Sequence, residues 1–152
     1  MHKAEKYAII RQECPDDMVV FFLRAFGCRR KVYNLYTDFY YQQLESAGYT
    51  GGDDIPVVKL PEVTAFKKQY PYLKEVDSLA LANAKIDFQQ AIKRFTEQSD
   101  HTKYTKRAIR RSESGTEPLS FRDLKGIPKF KSKARGTFPI QQTASIREKR
   151  AA

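Results

Sequence analysis

The sequence predicts an α+β fold in which one strand precedes several helices and further strands return near the end. Three patterns predict it. KYAIIRQE at residues 6–13 partly alternates in character, as a half-buried strand does. Apolar residues recur three and four apart over 28–42 and again over 81–95, which is helical spacing. Gly126, Pro128, Gly136 and Pro139 punctuate short apolar-basic segments, which is strand-and-turn material.

Taken in order, Tyr7 and Ile9 face one way and Ala8 and Ile10 the other, and Pro15 ends that strand. Asp16 or Asp17 then caps a helix over about 17–26 with Val19, Val20, Phe22, Leu23 and Phe26 inward. Gly27 is expected to break it. A second helix follows over about 28–46, its stripe formed by Cys28, Val32, Leu35, Phe39 and Gln42, widened by Tyr36 and flanked by Tyr33, Tyr40 and Tyr41. Gly48, Gly51 and Gly52 make a loop, IPVVKL at 55–60 is ambiguous, and Pro61 opens a short helix over 62–70. The clearest element starts after Asp77, an N-cap with Val76 before it and Leu81 four positions in, the pattern of a hydrophobic staple. Leu81, Ala84, Phe88, Ala91 and Phe95, joined by Ile92, carry that helix to about Gln98. Residues 99–117 lose the periodicity and read as a basic, exposed linker with a helical stretch around 103–111.

The net charge of +10 is unevenly placed. Residues 1–98 carry 14 Lys and Arg against 13 Asp and Glu, whereas residues 99–152 carry 14 against 5. Such a gradient fits a polyanion partner, whose counterions are released when cations dock, or a solvated basic tail. Two stretches concentrate the cations. GCRRKVYNLY at 27–36 sets Arg29, Arg30 and Lys31 where a new helix would begin, although a helix N-terminus disfavours cations. GIPKFKSKARGTF at 126–138 alternates Lys129, Lys131, Lys133 and Arg135 with Phe130 and small residues, so an extended chain sends four cations to one face. A row of that kind can follow a phosphate backbone; it also describes an edge strand protected by lysines.

Evidence for catalysis is thin. Asp16/Asp17 and Asp53/Asp54 read as a cap and a polar loop, and no Gly-rich phosphate loop or Ser/His/Asp pattern occurs in context. Cys14 and Cys28 have only His2 and His101 as companions and lack zinc-site spacing, so two reduced structural thiols, no metal and no cofactor are expected. MVVFFLRAF at 18–26 is too short to span a membrane and contains Arg24, and no signal-peptide pattern is evident, so a cytoplasmic protein is expected.

Four pieces in order resemble a known family: KYAIIRQE, FGCRRKVYN at 26–34, YPYLKEVDSLALANA at 70–84 with DFQQAIKRF at 87–95, and GIPKFKSK at 126–133. Together they resemble the N-terminal part, a helix-turn-helix transposase domain, of the TnpB (OrfB) proteins of bacterial insertion sequences. The resemblance implies a mostly helical recognition bundle inserted into an incomplete small β-barrel, the wedge domain. Its divisions would be a first wedge strand at 1–15, a helical recognition domain at 16–98, the linker at 99–117, and returning wedge strands with a basic tail at 118–152. In that family these parts hold guide RNA and read target-adjacent double-stranded DNA, while base pairing reads the sequence.

Carried over by motif, the resemblance implies nucleic-acid contacts at Arg30, Tyr33 and Asn34; Arg29 and Lys31 are candidates from the charge cluster itself, expected to face phosphate at a Gly27 corner. The resemblance also implies target-adjacent duplex contacts at Ser78, Leu79, Ala82 and Asn83, and backbone contacts at Lys129, Phe130, Lys131 and Lys133; Arg135 is a candidate from the alternating row of cations alone. Lys31 stands where the family usually has Phe, and Ala82 where many relatives carry Gln. The family continues into a RuvC-like nuclease domain with three catalytic acids and a zinc ribbon, and these 152 residues contain neither. The expectation is therefore a truncated, non-catalytic fragment. Its alternatives are a nuclease subunit completed in trans by a separately encoded domain, or a helix-turn-helix DNA-binding regulator.

Overall fold

In a computed structural model, which describes residues 15–133, one long helix organises everything else. Helix α1, Asp16–Ser46, runs unbroken for 31 residues, roughly 46 Å at the α-helical rise. Pro15 sits at the N-cap, and Asp16 and Asp17 place their charges in the first turn, where the helix dipole favours them. Gly27 does not break the helix, contrary to the sequence expectation. A mid-helix glycine costs about 1 kcal/mol against alanine, whereas two new helix ends would strand up to four backbone groups each. The real stop is Gly48. Its φ of +73° closes the C-terminus, with Gly48 N–H donating to Glu45 O at 3.0 Å and Tyr49 N–H to Leu44 O at 3.0 Å. The expected helix-turn-helix corner at Gly27 is therefore absent.

The chain returns along α1 through an extended stretch, α2 (Val63–Gln69) and a 3₁₀ turn (Pro71–Glu75). Helix α3, Ser78–Glu97, starts at an Asp77 cap whose carboxylate accepts from Leu79 N–H at 3.0 Å, and the stapling pair Val76 and Leu81 is buried. Helices α1 and α3 run in the same sense. Arg24 meets Glu75 just ahead of α3, Tyr36 and Tyr40 meet Phe88 at its middle, and Asp53 beyond α1 meets His101 beyond α3.

Their seam is aromatic. Phe88 is fully buried with the rings of Tyr33, Tyr36 and Tyr40 at 5.3, 5.8 and 5.9 Å between centroids. The buried stripe of α1 is Cys28, Val32, Tyr33, Tyr36, Thr37, Tyr40, Tyr41 and Leu44. It lies on the tyrosine side of the helix rather than on Leu35, Phe39 and Gln42. Two of these tyrosines go inside because carbonyls await them: Tyr36 donates to Pro61 O at 2.9 Å and Tyr41 to Pro128 O at 2.6 Å, whereas the Tyr40 hydroxyl is buried without a hydrogen-bond partner among the described residues. Burial pushes the Tyr40 and Tyr41 phenols up to about 12, so both stay neutral.

The segment expected to be a basic linker holds helix α4, Lys106–Glu113, capped by Thr105. One isolated antiparallel bridge, Tyr104 with Leu124, ties it to the segment that follows. Phe121, Leu124 and Ile127 then join the core that also holds Tyr41, Leu44 and Phe95. The α+β expectation is corrected here: among the described residues the fold is helical, with no strand, sheet or barrel. Beyond the turn at Gly126, residues 127–132 form neither helix nor strand; they lie against α1 and pair with no strand among the described residues. Alternation specifies an extended chain; a strand also needs a neighbouring backbone. The expected first strand, 6–13, lies outside the described residues.

His101 joins three segments beneath this core and is 5% exposed. Its Nδ1 lies 2.8 Å from Asp53 Oδ1 and its Nε2 2.7 Å from Phe95 O. Both partners accept, so the imidazolium satisfies both. The Asp53 hydrogen bond raises the His101 pKa, with the Phe95 carbonyl and Asp100 adding to it and burial opposing it. A raised pKa stabilises the fold fully below the unfolded histidine value, about 6.5, and that stabilisation is lost as pH rises through the folded value. Thermal melts from pH 6 to 9 are expected to show stability falling along this course. In a His101→Gln variant that part of the pH dependence is expected to vanish; an identical profile would overturn the assignment.

Candidate nucleic-acid interface

Arg29, Arg30 and Lys31 lie within α1, so the helix-dipole objection to their charge disappears. Successive helical residues point about 100° apart, and the three fan out. Arg29 pairs with Asp87 of α3, with the two side chains 29% and 37% exposed. Lys31 holds its Nζ 4.7 Å from the centre of the Tyr70 ring, a cation–π contact on the returning connection. Arg30 lines a small cleft together with Arg29 and Asp87, and with Tyr33, Ala84 and Lys131. The cluster that reads as one patch in the sequence divides, Arg29 and Arg30 toward α3 and the ribbon and Lys31 toward Tyr70.

The lysine ribbon is docked by two side chains of α1. Tyr41 donates to Pro128 O, and Asn34 makes a reciprocal pair with Lys131: its Nδ2 donates to Lys131 O at 2.9 Å and its Oδ1 accepts Lys131 N–H at 2.7 Å. From Tyr41 back to Asn34 is about 10 Å of helix, and from Pro128 to Lys131 about 10 Å of extended chain, so the ribbon runs antiparallel along α1 in register. Asn34, expected at nucleic acid, spends its amide on the ribbon. The Lys131 ammonium lies 4.1 Å from the centre of the Tyr33 ring, and Lys129 donates to Arg122 O at 3.0 Å. Burial lowers the pKa of both lysines, opposed by Asp123 at Lys129 and by Asp87 at Lys131. Phe130 sets its ring edge-on to Tyr41 and remains 51% exposed; Lys133 is exposed, and Arg135 lies outside the described residues.

Between α1, α3 and the ribbon lies a groove of ≈ 490 Å³ lined by Arg29, Arg94 and Lys131, with Tyr33, Gln90 and Ala91, and by one acid, Asp87. Three cations face one carboxylate, and Lys131 is already partly stripped of water, so an anion entering there gains more than it would at a fully hydrated lysine. Arg94 and Gln90 were not among the expected residues. Their signal was the 87–94 spacing, which puts Asp87, Gln90 and Arg94 on one face of α3 beside its apolar seam.

Ser78, Leu79, Ala82 and Asn83 are elsewhere, at the start of α3, and do not line this groove. Ser78 Oγ accepts from Lys67 Nζ at 2.8 Å, and Leu79 is 67% exposed. The Asp77 carboxylate already occupies the helix terminus and opposes a phosphate there.

A second basic surface lies on α4. Lys106, Arg107, Arg110 and Arg111 border an open depression. Their i, i+1, i+4, i+5 spacing places them on one side of the helix, with Ala108 buried on the other. Arg111 is committed to Glu117 and Asp123, both at 2.7 Å, and so pins α4 to the segment that leads into the ribbon. Lys129 feels Asp123 and Arg111, while Lys131 feels Asp87 and Arg29, so the ribbon connects the two basic surfaces.

Cys28 is buried, and burial, aided by Glu75, raises its thiol pKa, which suits an unreactive packed thiol. No cluster of three or more His, Cys, Asp or Glu side chains poised for a metal occurs among the described residues. No described helix is long and apolar enough to cross a membrane. Fold and site together define a helical protein with a cation-lined groove and a docked lysine ribbon. Compared with known proteins, the chain matches no family model, no curated sequence and no solved structure.

Proposed function

We propose that this chain binds nucleic acid through the α1–α3 groove and the lysine ribbon, as the non-catalytic nucleic-acid-holding part of a TnpB-type RNA-guided system, with guide RNA and duplex DNA as its partners. The family assignment rests on the four motifs in order. The binding reading is carried by one observation: the ribbon is clamped by Asn34 and Tyr41 so that Lys131 reaches the groove shared with Arg29 and Arg94. A solvated basic tail needs no such clamp. The regulator alternative is weakened because α1 has no turn at Gly27.

The test is binding of labelled RNA and duplex DNA across a salt series. Replacing Arg30, Arg94, Lys131 and Lys133 together by alanine is expected to flatten the log–log salt dependence by roughly three units, near 0.7 to 0.9 for each phosphate left without its cation. Arg29 is kept because it also pairs with Asp87. Wild-type protein that ignores both nucleic acids in dilute buffer would end this reading.

A further inference from the structure

We infer that the groove between α4 and the Tyr104–Leu124 bridge is a site for an unpaired nucleotide, so that the protein holds single-stranded nucleic acid there. The inference rests on the nucleic-acid reading above and assigns one further site to it. The groove, ≈ 700 Å³, has Tyr104 and Ile109 as its apolar floor, and the charged residues lining it are all lysines: Lys103, Lys106 and Lys125. Ile109 is 39% exposed on a helix whose other outward residues are charged or polar.

The walls are fixed by backbone. Lys125 N–H donates to Lys103 O at 2.8 Å and Thr105 N–H to Asp123 O at 3.0 Å, so Lys103 and Lys125 stand side by side across the bridge. Thr105 caps α4 and sets Lys106 at its first position, on the third side. Lys103 is ion-paired with the half-buried Asp100 at 3.4 Å; Lys106 and Lys125 have no ion-pair partner among the described residues.

An aromatic-aliphatic floor inside a ring of cations matches the chemistry of one nucleotide. The base lies on the floor and its phosphates meet the lysines. Bases of a duplex are stacked and paired and cannot enter. Arg107 and Arg110, next along α4, have no ion-pair partner among the described residues and are placed for the following phosphates; Glu113, also exposed on α4, is the nearby acid.

The experiment uses the full chain, a short oligothymidylate, the same strand with abasic sites, and a duplex of equal length. Wild type is expected to bind the intact strand roughly tenfold more tightly than the abasic one, the scale of one stacked base. Lys103→Ala/Lys106→Ala/Lys125→Ala is expected to reduce the single-strand salt slope by about two units, and Ile109→Asp to abolish the preference for the intact strand. All changed residues are exposed, and circular dichroism checks that the variants fold. If the triple variant keeps its single-strand slope while the α1–α3 groove variant loses affinity, this site is refuted and the nucleic-acid reading stands. Equal losses on strand and duplex would refute the unpaired nucleotide. Wild type that binds none of the three would remove both.

Discussion

Phe88→Ala is expected to destabilise the protein by about 3–5 kcal/mol, the usual cost of emptying a buried phenylalanine site. Phe88 is fully buried, and three tyrosine rings of α1 close on it. Two of the three are held away from the space. Tyr36 is held by Pro61 O, and Tyr33 carries the Lys131 ammonium on its face. Each edge or stacked ring contact adds about 0.5–1.5 kcal/mol beyond area burial, so the seam between α1 and α3 concentrates the stability of the whole core. Domains of this size are stable by only about 5–15 kcal/mol, so the variant should sit at or near the edge of folding. Urea denaturation followed by circular dichroism measures this. Phe21→Ala is the control, because Phe21 is 52% exposed on the first half of α1 and should cost far less. Equal midpoints for Phe88→Ala and wild type would contradict the packing described.

Gly126→Ala is expected to cost roughly 3 kcal/mol and, under the proposed function, to weaken nucleic-acid binding as well. Gly126 has φ +89°, where a side chain costs about 1–2 kcal/mol. A Cβ there would also strike the Gln98 amide, its Cδ only 3.1 Å away. That amide cannot simply swing aside, because its Nε2 donates to Lys125 O at 2.8 Å and to Asp100 O at 3.0 Å. Losing those bonds adds about 1 kcal/mol each. The turn at Gly126 aims Ile127 into the core and the ribbon along α1, so disturbing it shifts Lys129 and Lys131 together. Gly27→Ala should do the opposite. Gly27 is helical, a Cβ added to it would meet nothing within 4 Å, and alanine there is expected to stabilise by about 0.5–1 kcal/mol. Thermal melts of the two alanine variants should therefore move in opposite directions; shifts of the same sign would refute the distinction drawn between the two glycines.

Much of α3 was legible beforehand. Its cap, its staple and the seam Leu81, Ala84, Phe88, Phe95 are local patterns, and each is where the spacing puts it. The short helix after Pro61 and a helical stretch within 99–117 were legible for the same reason. Gly27 misled because a glycine's cost is small beside that of two helix ends. The ribbon misled because alternation is shared by strands and by extended chain docked on a helix. Asn34 looked like a contact for nucleic acid, since nothing local reveals that its amide meets Lys131, 97 positions away. Arg94 and the α4 cations went unmarked as site residues because a cation at helical spacing acquires meaning only from what faces it.

By itself, the sequence determined the helical seams, the caps, the turns and the excess of positive charge in its final third. These follow from interactions within a few residues. Only the tertiary structure decided that α1 is continuous, that Arg29 and Arg30 turn to one cleft while Lys31 turns to Tyr70, and that the lysine ribbon closes a groove. Those outcomes depend on which groups meet across long stretches of chain, and side-chain spacing carries no record of the partner.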